Sequence, residues 1–452
     1  MYKDYIPLIS KWFDEISIRG EKIPTEYGQV SAMKPDHIHL NKLLSEFISK
    51  MQGNYPFHNP EYAGQMLKPP HPVAWFAYTL AMSINPNNHA LDGGPPTSEM
   101  EKEVIGWISE MFGLPKGSLG HLTSGGTVAN LEALWIAGKL HPNKKIAFTE
   151  QAHYTHKRMC DVLGIDYKII DYEFTTRPND KIEKLLADVG TVVVTMGTTG
   201  TGSIEPLDRI SRICKNKGIR IHVDAAYGGF FKLIEDELKH QLDWKAISKA
   251  DSIVIDPHKH GLQPYGCGCV LFRDPSVGKF YKHDSPYTYF SSNELHLGEI
   301  TLECSRAGAS AAALWFTIKA LGLHKNGLIG QGLLACVKAA RIFSEGIRES
   351  KEFEVLSEPE TDIVCYFPKF DSISEISKAS KAIFNDGMVS KDNRLYLSLF
   401  KVNSNQFGIS FPEIIIDEPV ITILRSVFMK PSHVDFIDEM IKRLQNLKRQ
   451  IN

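Results

Sequence analysis

The sequence predicts an α/β fold: a large domain on a mainly parallel sheet, followed by a smaller C-terminal α+β domain. Three observations support this. Between about residue 100 and residue 275, short apolar runs (KKIAFTE, YKIIDYE, TVVVTMG, IRIHVDA, SIVIDPH and CGCVLFR) alternate with stretches of helical period, the pattern of strands joined by crossover helices. The runs are rich in Val and Ile and apolar on both faces, as strands buried between two helical layers are. A chain of 452 residues is also longer than one hydrophobic core normally supports.

The N-terminal stretch MYKDYIPLISKWFDEISIRG interleaves charged and apolar residues, which predicts an amphipathic helix and not a signal peptide. Residues 1–65 are assigned to this helical segment and 66–330 to the large domain. After the apolar helix GASAAALWFTIKALGL and a helical segment ending near Arg348, the pattern changes. FEVLSEPETDIVCYFP, RLYLSLFKV and VITILRSVFM read as strands, and SISEISKASKAIFNDG and SHVDFIDEMIKRLQNLKR as helices; together they form a small domain over 331–452. No repeat or low-complexity linker separates the two domains, so they are expected to pack tightly.

Composition excludes several function classes. With 43% hydrophobic residues, 23% charged residues and a formal net charge of -2, the chain has no excess positive charge to attract nucleic acid. No run approaches the ~20 apolar residues of a membrane span. The seven cysteines are odd in number and scattered, and the closest pair, Cys267 and Cys269, lacks a second pair at zinc-ribbon spacing. A reducing cytoplasm is the simplest setting.

The chemistry-bearing residues fall at strand ends. Asp224 lies just past the apolar part of IRIHVDAAYGGF, and Lys259 follows SIVIDPH. Open α/β sheets present ligand-binding groups at the carboxyl ends of their strands. An amine and a carboxylate in one crevice suit pyridoxal phosphate, which needs a lysine for a Schiff base and an anion to keep its pyridine nitrogen protonated. Asp224 is expected to stay ionised with a depressed pKa. In GHLTSGGTVANLEALWIAG, the Ser124-Gly125-Gly126-Thr127 turn opens an apolar helix, a place where backbone N–H groups bind phosphate. His153 follows KIAFTE, and Thr198 and Thr199 follow TVVVTMG. The histidine is a candidate to stack on a ring, the threonines to bond its oxygen. A zinc site built from His153, His156, His258 and His260 is disfavoured, because no carboxylate or third imidazole recurs at motif spacing and Lys259 would sit among the ligands.

Together HVDAAYGG, DPHKHG, TSGGTVANLEAL and the AHY segment resemble the group II pyridoxal-phosphate decarboxylases, over a stretch from about residue 55 to near 431. The resemblance implies fold type I, the aspartate-aminotransferase-like fold of pyridoxal-phosphate enzymes. It also implies an L-amino-acid decarboxylase in which Lys259 forms the Schiff base, Asp224 pairs with the pyridine nitrogen, Ala226 packs beneath the ring and His153 stacks above it. His258 would hold the phosphate with Gly125, Gly126 and Thr127. Arg425, in ILRSVF, matches an arginine that in several members engages the substrate carboxylate, and Gln65 joins it as a candidate substrate contact. The stretch YKHDSPYTYFSSNELHLGEI resembles a loop carrying the proton-donating tyrosine, with Tyr287 and Tyr289 both candidates. Residues 296–316 and the QPYG after the lysine most resemble tyrosine- and tyrosine/aspartate-decarboxylase-like members. Lys259-His260 departs from the Lys-Trp or Lys-Leu step of animal relatives. A homodimer is implied by resemblance, and the expected substrate is aromatic and tyrosine-like, or else acidic. The alternative reaction is carbon–carbon cleavage as in the sphingosine-phosphate-lyase-like branch; an aminotransferase and a cofactor-free scaffold rank below it.

Overall fold

A computed structural model describes residues 2–22, 36–91, 93–171, 179–282 and 301–451. Its centre is a seven-stranded sheet made of β1 (Leu119–Thr123), β2 (Lys145–Thr149), β3 (Tyr167–Ile170), β4 (Val189–Thr195), β5 (Arg220–Asp224), β6 (Ser252–Ile255) and β7 (Gly268–Phe272). The spatial order is β1-β7-β6-β5-β4-β2-β3. Strands β3, β2, β4, β5 and β6 pair in parallel, while β7 runs antiparallel to both β6 and β1. The six predicted runs are all strands. The seventh, β1, was not anticipated, because LGHLT contains a Gly and a His and runs directly into the Ser-Gly-Gly turn.

Alternate residues of the central strands enter opposite cores, which explains their doubly apolar pattern. Val192, Val194, Ile253, Ile255 and Leu271 join a cluster with Val104, Ile108 and Ile210 from helices on one face. Val254 and Val270 face Ala129, Ala133 and Ile136 on the other side, and Val193 faces Leu134 and Ala137. The second face is therefore covered by the helix Gly126–Leu140, which starts at the predicted cradle.

The C-terminal part is a four-stranded antiparallel sheet of β8 (Phe353–Val355), β9 (Ile363–Pro368), β10 (Ser398–Asn403) and β11 (Val420–Val427), in the order β8-β9-β11-β10. FEVLSEPETDIVCYFP thus contains two strands with a turn between them. Helices Ile373–Val389 and Ile437–Arg449 contribute Ile376, Ile383, Met440 and Leu444 to its cores. The first of these is capped as the sequence favours, with the Ser372 side chain accepting from the Glu375 amide.

The helix Leu328–Glu349 runs across the expected boundary at residue 330. Ile329, Leu333 and Val337 pack in the large core, whereas Ala340, Phe343 and Ile347 pack in the small one. At the N-terminus, helices Ile6–Glu15 and His37–Met51 have no buried residue. Among the described residues, no helix is long and apolar enough to cross a membrane.

Candidate active site

At the carboxyl ends of β1, β2, β4, β5 and β6 lies a cavity of about 350 Å³. Adjacent strand ends supply its floor, since Thr195 at the end of β4 is the register partner of Asp224 at the end of β5. The cavity wall includes Ser124, Gly125, Gly126, Thr127, His153, Asp224, Ala226, His258 and Lys259. Nine sequence-predicted residues, drawn from a stretch of 136 positions, therefore meet at one site.

Asp224 is buried, and its Oδ2 lies 2.8 Å from His156 Nε2. Its Oδ1 accepts the Ala226 amide at 3.1 Å. Burial by itself would raise this carboxyl; the hydrogen bond and charge of His156 and the Ala226 amide outweigh burial and hold it below the ordinary carboxylate range. Beneath lies His222, whose two ring nitrogens meet Ser252 Oγ at 2.9 Å and Asn130 Oδ1 at 2.8 Å. Burial lowers His222 to about 3, with the nearby His156 adding to the effect, so His222 is neutral. In the sequence His156 stands out only as one imidazole of the disfavoured zinc set. Its pairing with Asp224 spans 68 positions, and HYTHK carries no signal for it.

Lys259 Nζ lies 3.0 Å from Asp256 Oδ2, and His258 Nε2 lies 3.5 Å from the same oxygen. Asp256, the aspartate of DPHKHG, is thus a site residue that sequence reasoning missed. It also touches the cradle, because a Cβ added to Gly126 would come within 2.6 Å of Asp256 Oδ2. Across the strand end, a Cβ on Gly268 would meet the Gly125 carbonyl carbon at 2.5 Å. The turn needs glycine for close approach on both sides. Its strand is pinned by Glu101, whose Oε1 accepts the Leu122 amide at 2.9 Å and Arg306 Nη1 at 2.6 Å. The Ser124 amide donates to Glu303 Oε2 at 2.8 Å.

The opposite wall is His153, whose Nδ1 is 2.8 Å from Thr155 Oγ1. Burial lowers its pKa; Asp224 opposes this, while Lys259 and His156 reinforce it, so the ring stays uncharged at neutral pH. The turn after β4 differs in detail from expectation. Thr199 lines the cavity and Thr198 does not. Gly197 adopts φ +93° and turns Thr198 inward, where its hydroxyl meets Thr201 Oγ1 and Ser203 Oγ, each at 3.0 Å. The strand ends are stitched together by buried Glu205, which accepts from the Thr149 hydroxyl and the Thr195 amide. Burial pushes its carboxyl up to about 6.

Arg425 and Gln65 are not on the cavity wall. Arg425, on β11, donates to the carbonyls of Thr199 at 2.7 Å, Gly200 at 2.8 Å and Gly64 at 3.2 Å, and to Ser398 Oγ at 3.1 Å. It therefore clamps the Thr199 turn to the small domain. Gln65 is exposed. Tyr287 and Tyr289 lie outside the described residues. Among the described residues, no group of three His, Cys, Asp or Glu is placed to hold a metal.

The donor set fits pyridoxal phosphate. A helix N-terminus with glycines at the approach faces the cavity beside an anionic Asp224 and an amine. His258 Nδ1 and Thr195 Oγ1, both buried in the wall, have no protein partner and remain available to a bound group.

Comparison with known proteins agrees with this chemistry. A family described as the pyridoxal-dependent decarboxylase conserved domain matches residues 51–369. A probable L-tyrosine/L-aspartate decarboxylase of Methanothermobacter thermautotrophicus is 31% identical over 310 residues, covering 67% of this chain and 82% of the relative. An L-aspartate/L-glutamate decarboxylase of Pyrococcus horikoshii is 30% identical over 335 residues, covering 73% and 85%. In fold, the crystal structure of mouse CSAD in apo form superposes with a TM-score of 0.77 at 19% identity, covering 98% of this chain and 99% of that one. With its fold type I architecture, this chain belongs to the pyridoxal-dependent decarboxylase family and is a pyridoxal-phosphate-dependent amino-acid carboxy-lyase.

Proposed function

We propose that the chain removes the α-carboxyl group of an aromatic, tyrosine-like L-amino acid, using Lys259 to hold the cofactor and Asp224 to hold a proton on its ring nitrogen. The observation that carries the residue assignment is the buried Asp224, 2.8 Å from His156 and facing the same cavity as Lys259. When bound, pyridoxal phosphate supplies the electron sink that accepts the pair released as carbon dioxide leaves. Asp224 keeps a proton at the sink's nitrogen, and His156 fixes the carboxylate that does so. His153 and Ala226, both on the cavity wall, would hold a flat ring between them, and the neutral imidazole would add no competing charge. Gly125, Gly126 and Thr127 would receive the phosphate at the helix N-terminus. Asp256 accepts from Lys259 Nζ and keeps the amine aimed into the cavity. Arg425 acts on the substrate side by positioning Thr199. The proton returned to the substrate carbon comes from Tyr287 or Tyr289.

Two features favour an aromatic side chain. The Tyr265 ring lies 4.8 Å from the His258 ring, and tyrosine stands beside aspartate as a substrate in the name of the Methanothermobacter relative. Each L-amino acid incubated with reconstituted protein and read by mass spectrometry tests this. Tyramine supports the assignment; β-alanine or γ-aminobutyrate alone would replace it with an acidic substrate. Lys259→Ala is expected to lose both turnover and the visible band of lysine-held cofactor, and sustained multiple turnover by that variant would refute the role of Lys259.

The enzyme is a homodimer in this reading. Helix His37–Met51 exposes Leu40 (42%), Leu44 (54%), Phe47 (59%) and Met51 (51%) along one side, an apolar face that a second copy would cover. Light scattering that gives the monomer mass at micromolar concentration would exclude it. The seven cysteines are free, which supports a cytoplasmic location.

A further inference from the structure

A second cavity, of about 730 Å³, lies on the other side of the Lys259 loop and shares no lining residue with the first. This size is in the range of small-molecule sites. Most of its wall is apolar, with Leu262, Leu321, Leu328, Ile329 and Leu333 prominent. Its ionisable groups include two lysines, Lys68 and Lys430, and three imidazoles, His58, His71 and His260, beside the uncharged Tyr2, Gln331 and Ser432, and no carboxylate among the described residues lines it.

Lys68 Nζ donates to the Met429 carbonyl at 3.1 Å, and Lys430 Nζ to the Tyr62 carbonyl. An ammonium carries three donors, so one backbone carbonyl leaves each group short of partners. Lys430 is 7% exposed. Among the described residues neither lysine has a carboxylate at ion-pair distance; the nearest buried anion, Asp362, is already engaged by the Tyr227 hydroxyl at 2.6 Å and by His260 Nε2 at 3.1 Å. His260 is 1% exposed, and its Nδ1 has no partner. Lys430 is buried and Lys68 half-buried, and two like charges so placed without a counter-ion are costly. Burial lowers Lys68, and burial together with the Lys68 charge lowers Lys430 to about 7.

We propose that this cavity binds an organic monocarboxylate with an apolar body, its carboxylate set between Lys68 and Lys430 and its body along Leu262, Ile329 and Leu333. A carboxylate would supply the missing acceptors to both ammonium groups, while an apolar body would displace water from the leucine wall. Inorganic anions lack the second feature and neutral lipids the first. The cavity is also wired to the reaction site: His260 follows Lys259 in the chain, and its Asp362 partner is shared with Tyr227, a residue of the first cavity.

Calorimetric titration of the holoenzyme with octanoate, octan-1-ol, acetate and inorganic phosphate tests the proposal. Octanoate is expected to bind at least tenfold more tightly than any of the others. Octan-1-ol binding as well would overturn the role of the lysines, and acetate or phosphate doing so would overturn the role of the apolar wall. Lys68→Met and Lys430→Met should each weaken octanoate tenfold or more while leaving the cofactor band intact. Gln331→Glu at the exposed rim should weaken it several-fold by repulsion. Octanoate binding unchanged in all three variants, or absent from the wild type at millimolar concentration, would refute the site. Saturating octanoate should also shift kcat or KM of the wild type and not of Lys430→Met; identical kinetics with and without it would refute the coupling.

Discussion

Replacing His156 with Ala is the sharpest probe of the electron-sink arrangement. The substitution removes the group 2.8 Å from Asp224 Oδ2 and leaves the carboxylate in the same buried position with only the Ala226 amide. A hydrogen bond to a charged group contributes about 1.5–3 kcal/mol. If that stabilisation is fully used while the carboxylate holds its proton partner in place, kcat should fall by roughly 10- to 160-fold at 1.36 kcal/mol per factor of ten. The pH dependence separates this from general damage. In the wild type, Asp224 is held below its ordinary value of 3.8, so its contribution is present above about pH 4 and is lost only as the pH falls towards the depressed value. Without His156, burial dominates and raises the carboxyl, so protonation should intrude at higher pH. Carbon dioxide release measured from pH 5 to 8 should show an acid limb in His156→Ala that the wild type lacks. His156→Gln, which keeps a donor, should recover part of the rate. A variant with wild-type kcat and an unchanged acid limb would mean that Asp224 does not need His156.

Gly126→Ala would place a Cβ 2.6 Å from Asp256 Oδ2; fluorescence titration should show cofactor affinity lowered tenfold or more, and unchanged affinity would argue that the cradle is not where the phosphate sits. Glu205 has its carboxyl raised by burial from 4.5 to about 6, so its charge costs stability increasingly as the pH rises from about 4.5 to 6, and fully above that. Glu205→Gln should therefore gain up to about 2 kcal/mol relative to wild type between pH 4.5 and 7.5, read from urea unfolding at the two pH values; a gain that is the same at both would contradict the assignment. Gly228→Ala would bring a Cβ within 2.0 Å of the Met196 carbonyl oxygen and should lower stability by about 1–3 kcal/mol, measurable as a lower urea midpoint.

Strands were legible where both faces are buried, because a run such as TVVVTMG leaves no polar face to mislead the reading. Strand β1 was not, since its five residues are all buried yet include a histidine whose Nε2 is 2.8 Å from buried Glu132, a partner invisible in sequence. Lys259 and Asp224 were legible because strand ends mark ligand sites in this fold class. The residues that tune them were hidden for the opposite reason. His156 and Asp256 act through contacts that only the folded chain creates, and Thr199 instead of Thr198 reaches the cavity because of the backbone angle at Gly197. Arg425 was found by resemblance, but its side-chain environment depends on where Gly64, Thr199 and Gly200 come together.

The helix Leu328–Glu349, shared by both hydrophobic cores, makes the two domains one cooperative unit. Cutting the chain at 330 would strip Leu333 and Val337 from the large core and leave them as exposed apolar side chains on the helix that carries Phe343 and Ile347. Neither fragment should therefore fold autonomously, and heat should melt the chain in a single transition. The same rod limits how the halves can move: a free hinge would have to break the helix, so small sliding adjustments along its length are the motion this architecture permits.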